Sequence, residues 1–287
     1  MMAERAARKG IWSLKRVNWP FHLRRIGLRL DGRSAEDLRR WDGLVGVVST
    51  ADGSAYLSQG QTKGATESSK SSYLKPKVSV NISWNTATFS DAEQRSRPRL
   101  LNHLVKEGSS ARFQAKSAPD RRIISFISAI KDCLENAIIA SALPNAHIDV
   151  HVNVLSSDGS VLSCVTNAIS LALMDAGLPM LDVICAVSVG LATLPSASTM
   201  TAGKAGQAQQ LLAREYLPIV DISGQEELGY MLPVLTCAFL PRKNEMAFCH
   251  LESRISLSEL AQMTQAAEKA ASEIQIRLKE IVIKRYS

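Results

Sequence analysis

The chain has 287 residues, 46% hydrophobic and 21% charged, enough to bury one large core or two modest ones as an ordinary globular protein. No run of about eighteen apolar residues occurs, so no membrane partner is expected. The net charge of +7 suggests nucleic acid in its total, yet residues 1–27 hold seven arginines and lysines against Glu4 alone, and the rest is almost neutral.

That basic extension, with Trp12, Trp19 and Phe21, reads as an RNA-binding arm, a targeting signal or a plain disordered extension ahead of one domain at 28–287. Residues 28–45 read as an extended entry and polar linker. A hairpin follows, with strands at 46–50 and 54–58 around the turn Ala51-Asp52-Gly53. Residues 64–77, rich in Gly, Ser and Lys and without periodicity, read as loop or disorder. Strand alternation resumes at 78–84, and a second low-order region covers 92–118. A long amphipathic helix then starts behind Asp120, with Ile123, Ile127, Ile130, Leu134, Ala137 and Ile138 on its apolar stripe.

Residues 147–180 form the most informative stretch. Ile148, Val150, Val152 and Val154 alternate with His147, Asp149, His151 and Asn153, which is the period of a half-buried strand. Residues 156–160 make a turn, and Val165, Ala168, Ile169, Ala172 and Leu173 mark the helix after it, closed by Gly177 and Pro179. A helix start leaves backbone N–H groups unpaired, so this turn is a natural anion site, but position 161 beside it is Val, not a cation. Further strands are expected at 183–191, 217–222, 232–239 and 245–251, with a small-residue insert at 195–215. Ser256 and Glu259 form a capping box opening a last helix to about 286. Strands with helices packed on them predict an α+β fold.

The five cysteines (Cys133, Cys164, Cys185, Cys237, Cys249) never form CxxC and read as buried reduced thiols, so no structural zinc is expected. His147 and His151 share a strand face but stand about 13 Å apart, too far to share a metal. There is no P-loop and no GxGxxG, and no cofactor is expected.

Four ordered segments, LRLDGRSAEDLRR (28–40), ADGSAYLSQGQTK (51–63), ATFS (87–90) and DAGLPMLDVICAVSVGL (175–191), resemble the ribonuclease PH family over about residues 28–285. Within it they resemble exosome ring subunits, above all the counterpart of the archaeal catalytic ring subunit. The resemblance implies mixed sheets packed against helices, of the ribosomal protein S5 domain 2-like type, and a six-membered ring threaded by single-stranded RNA. Active members cleave RNA by phosphorolysis, using a phosphate cradle, cations and carboxylates.

Carried onto this chain, Gly159 and Ser160 match the cradle while Val161 stands where the family has Arg. Losing that cation should cost about 10²- to 10³-fold in rate. Ala192 stands where one family Asp is expected, and Asp221 matches the second, although the insert at 195–215 alters the spacing between them. The plain reading of Asp221 is a strand-end or turn carboxylate. Arg121 and Arg122, opening the long helix, and Arg95, Arg97 and Arg99 match RNA-contacting basic positions, with a solvated charge run as the alternative. Two departures stand out: after Thr62-Lys63 the family's central hydrophobic strand is absent, and the loop at 100–118 is long.

The expected protein is a non-catalytic ring subunit of an exosome core, in the nucleus, nucleolus and cytoplasm. Its expected partners are other ribonuclease PH-like subunits, S1/KH-type cap proteins, a hydrolytic 3′–5′ exonuclease and single-stranded RNA. The alternatives are an active phosphate-dependent 3′–5′ exoribonuclease and a stand-alone RNA-binding protein of the same fold.

Overall fold

The computed structural model of the chain describes residues 29, 31–72, 79–87, 89–90, 121–143, 146–195, 214–230 and 232–286. The basic extension, Arg95, Arg97, Arg99, the loop at 100–118 and Asp120 lie outside them, as does most of the 195–215 insert.

The strands are β1 (Trp41–Val45), β2 (Gly53–Gln59), β3 (Thr62–Ser72), β4 (Ser79–Thr86), β5 (Ala146–Ser156), β6 (Cys185–Pro195), β7 (Arg214–Val220), β8 (Val234–Leu240) and β9 (Glu245–Leu251). The helices are α1 (Arg121–Ala137), α2 (Val161–Asp175), α3 (Gly224–Tyr230) and α4 (Leu257–Tyr286). One sheet has the order β1-β2-β3-β5-β4, with β4 and β5 parallel and its other pairs antiparallel; the second is antiparallel, β7-β6-β8-β9. This is the expected α+β arrangement.

Helix α2 runs through the interior between the sheets, and every residue from Leu162 to Leu173 is buried. Ser163 and Thr166 bond to backbone carbonyls of the helix start and Asn167 to the sheet, while the buried Ser170 hydroxyl has no partner among the described residues. Asn167 Nδ2 donates to Ala186 O at 2.8 Å while Ala186 N donates to Asn167 Oδ1 at 2.7 Å. Thr66 Oγ1 donates to Ala168 O at 3.0 Å. One face of α2 joins a cluster with β5 and α1 through Val165, Ile169 and Leu173. The other, through Cys164, Ala168 and Ala172, joins a cluster with β6, β8 and the α4 residues Met263, Ala267, Ala271 and Ile274. The α4 capping box forms as expected: Ser256 N donates to Glu259 Oε2 at 2.9 Å and Glu259 N to Ser256 Oγ at 3.4 Å.

Three sequence expectations are corrected. Residues 64–72 are not loop but belong to β3, hydrogen-bonded to β2 on one side and β5 on the other, so the missing central strand is present. Its inward residues Thr62, Gly64, Thr66 and Ser68 are small and buried, and they face α2. Val165 Cγ2 lies 4.0 Å from where a Cβ on Gly64 would sit. The strand partnering β2 is β1, at 41–45, not 46–50, which lie in the turn region. Cys133, Cys164, Cys185 and Cys237 are buried as expected, but Cys249 on edge strand β9 is exposed.

Candidate functional site

The turn between β5 and α2 is held rigidly from three directions. Gly159 (φ +74°) and Ser160 (φ +52°) are both left-handed, a conformation that favours glycine. A Cβ on Gly159 would lie 2.6 Å from the Ser223–Gly224 backbone, so the close approach also requires glycine. Thr62 Oγ1 accepts from Asp158 N at 3.1 Å and donates to Gly159 O at 2.8 Å. Asp158 Oδ1 accepts from Gly224 N at 3.1 Å. The Ser160 hydroxyl turns back to Ile222 O at 2.8 Å and makes no cap bond to α2. The first turn of α2, starting at Val161, therefore opens into a cleft without a side-chain cap.

Asp221 follows β7, with φ +54° and no exposure. Its carboxylate does not line the cleft. Arg39 Nε donates to Asp221 Oδ1 at 2.8 Å, Arg39 Nη2 lies 2.7 Å from the same oxygen, and Arg39 N donates to Oδ2 at 2.9 Å. Burial works against charge on Arg39, but its negative neighbours, Asp221 foremost and Asp158 beside it, together hold the guanidinium above its ordinary pKa. Arg39 also donates to Asp158 O at 2.8 Å, tying the Asp221 turn to the β5–α2 turn. Arg29 pairs in the interior with Glu226 of α3 and donates to Val220 O at 2.6 Å and Asp221 O at 2.9 Å. Arg33 reaches Asp221 O at 3.2 Å. Arg29, Arg33 and Arg39 of the N-terminal signature thus all converge on one turn.

Strands β6 and β7 stay in register from Val189–Val220 to Pro195–Arg214. Asp221 N donates to Ser188 O at 2.8 Å. Ala192 is fully buried beside Ile219, with Leu217 and Leu232 against them, an apolar setting for a position expected to carry a carboxylate.

The cleft has a volume of about 320 Å³ and is lined by 157 and 159–162 of the turn, Ser188, Gly224 and Glu227 of α3, Leu232, Val234 and Thr236, His250, Glu252 and Ser253, and Arg122 and Phe126 of α1. Arg122, from α1, is the arginine among these lining residues. It is already paired: Nε donates to Glu252 Oε2 at 3.0 Å, Nη2 lies 2.9 Å from the same oxygen, and Nη2 donates to Glu227 Oε1 at 3.4 Å. The bond to Glu252 is the main cause of its raised pKa, over the opposing effect of burial. Its side chain stays 57% exposed. Beside it Ser125 Oγ and His250 Nε2 are 3.1 Å apart, and Phe126 packs edge-on to the His250 ring at 5.2 Å.

Of the expected site residues, the structure brings Gly159, Ser160, Val161 and Arg122 to one cleft. It places Asp221 behind the turn and begins α1 at Arg121. Sequence reading missed Arg39, Glu227, Glu252 and His250. The segment containing Arg39 was visible as a motif, but nothing local in it discloses a partner 182 positions away.

Residues 37–179 match the family described as 3′ exoribonuclease family, domain 1. The chain is 31% identical over 264 residues to the mouse exosome complex component RRP41, covering 89% of this chain and 91% of the relative. It is 30% identical over 270 residues to the Rrp41 exosome component of Archaeoglobus fulgidus, covering 91% and 88%. Its fold matches a chain of the A. fulgidus exosome solved with RNA bound to the active site, with a TM-score of 0.66 at 16% identity, covering 93% and 98%. With matches of this extent the chain belongs to the ribonuclease PH family.

Proposed function

We propose that this chain is a ring subunit of an exosome core that holds single-stranded RNA without cleaving it. It stands among other ribonuclease PH-like subunits, contributes surface to S1/KH-type cap proteins, and passes RNA to a hydrolytic 3′–5′ exonuclease. An exosome role is supported by similarity to the RRP41 components of mouse and A. fulgidus along nearly the whole chain.

The single observation that carries the non-catalytic half is the Asp221–Arg39 pair. Phosphorolysis brings an inorganic phosphate against a phosphodiester, and the developing charge must be met by aimed cations and by carboxylates free to hold a metal or a proton. Here the Asp221 carboxylate is fully buried and spent on Arg39. Position 192 is an alanine in an apolar cluster. Position 161, at the mouth of α2, is a valine. What remains suits binding: Arg122 at the cleft rim, with Arg121 and the arginines at 95, 97 and 99 as further phosphate contacts, gives sequence-independent, salt-sensitive affinity.

The test is direct. The purified ring, incubated with single-stranded RNA and inorganic phosphate, releases no nucleoside diphosphate; phosphate-dependent release overturns the reading in favour of an active exoribonuclease. Sedimentation of the native protein as a monomer would instead favour a stand-alone RNA-binding protein. We place the protein in nucleus, nucleolus and cytoplasm, where such a ring meets its RNA, and imaging of the endogenously tagged chain tests that.

A further inference from the structure

Outside the cleft, the register of β8 and β9 sets two thiols directly opposite each other: Cys237 faces Cys249. Directly opposed residues in an antiparallel pair have Cα atoms about 4.5–5.5 Å apart, inside the roughly 4.4–6.8 Å range of disulfides. The two differ in access. Cys237 is fully buried in the cluster under α4, whereas Cys249, on the edge strand, is exposed.

We propose that Cys237 and Cys249 form a dithiol that hydrogen peroxide converts into an intramolecular disulfide, stapling edge strand β9 to β8. Cys249 is the attacking sulfur. The Cys237 thiol donates a hydrogen bond to it, which lowers the Cys249 pKa to about 7 despite partial burial. The same bond, together with burial, raises that of Cys237. Thiolate character and exposure together select the site of oxidation.

The chemistry proceeds in two steps. The Cys249 thiolate attacks one oxygen of the peroxide, the O–O bond breaks, hydroxide leaves, and the sulfur is oxidised to a sulfenic acid. The Cys237 sulfur then attacks that sulfur: an S–S bond forms, the S–O bond breaks, and the departing hydroxide takes the Cys237 proton and leaves as water. In sum, one peroxide and two thiols give one disulfide and two waters. A thiol reductant reverses it.

The bond would sit next to the cleft. His250, adjacent to Cys249, and its register partner Thr236, adjacent to Cys237, both line it. The other cysteines, Cys133, Cys164 and Cys185, are buried and pushed up to about 12 by burial, so they are not competing targets.

The test uses the full-length chain, alone and in its purified complex, treated with hydrogen peroxide, alkylated and digested with trypsin without reductant. Arg242 and Lys243 separate the two cysteines into peptides 215–242 and 244–254. The expected result is loss of two of the five thiols and a cross-linked pair of these peptides that dithiothreitol releases. In the Cys237→Ala variant the cross-link is absent and dimedone traps Cys249 as a sulfenic acid. The proposal is overturned if native Cys249 goes on to sulfinic or sulfonic acid while Cys237 remains alkylatable, or if the disulfide joins two chains.

Discussion

Arg39 and Asp221, separated by 182 positions, meet in the interior through a 2.8 Å bond from Nε to Oδ1 and a backbone bond of 2.9 Å to Oδ2. Their side chains are only 6% and 0% exposed. Removing one partner of such a pair leaves an uncompensated buried charge, which costs about 3–5 kcal/mol. Arg39→Ala should therefore shift the denaturant midpoint sharply downward. Asp221→Asn, which keeps the shape and tolerates the left-handed backbone, should also destabilise. The double variant Arg39→Ala, Asp221→Asn should lose less than the sum of the two. Additivity would show that the pair is not coupled.

Arg122 is shared between Glu252 and Glu227, so RNA phosphates must displace carboxylates to reach it. Glu252→Gln should raise affinity for single-stranded RNA, and Arg122→Ala should lower it, with the salt slope falling by about 1. Fluorescence anisotropy titrations across a salt series measure both. Thermal melting of Arg122→Ala should move little, because exposed ion pairs contribute only about 0–1 kcal/mol.

Gly159→Ala forces a Cβ to 2.6 Å from the Ser223–Gly224 backbone at a φ of +74°. Strain of that kind costs about 1–3 kcal/mol. The melting temperature should fall, and RNA affinity at the cleft should fall with it. Gly177→Ala serves as a control: it carries a similar φ of +64° with no atom near the added Cβ, so its loss should be smaller.

Val161→Arg returns a cation to the mouth of α2 without freeing Asp221 from Arg39. The variant should bind RNA more tightly and still release no nucleoside diphosphate in the presence of phosphate. Release from this single change would show that the carboxylate side of the site is intact.

Cys249 should be the first thiol to react with iodoacetamide. Its thiolate is the nucleophile and its pKa is lowered to about 7 by the Cys237 bond, so the rate should rise through neutral pH and level off above it. Cys237→Ala removes the donor, and the midpoint should move up toward the ordinary value of about 8.5. Mass-resolved alkylation against pH measures both.

Most strands were legible because their apolar residues alternate, as in β5, where Ile148, Val150, Val152 and Val154 are all buried. Strand β3 was not, because the side chains facing α2 are Gly, Thr and Ser, so periodicity in hydropathy vanishes while periodicity in burial persists. The capping box of α4 was legible because both partners lie within four residues. The cleft was half legible: its turn is local, but its walls come from α1, α3, β8 and β9.

The turn at Gly159 and Ser160, the helix behind it and the absence of a cation at position 161 are properties of neighbouring residues, and the sequence by itself determined them. What Asp221 does was decided only in three dimensions. A carboxylate beside a strand can hold a metal, carry a proton or clamp an arginine, and the choice depends on which charge lies within about 3 Å after burial has removed water. Here that charge comes from Arg39, on a segment that reaches Asp221 only because the two sheets close around α2.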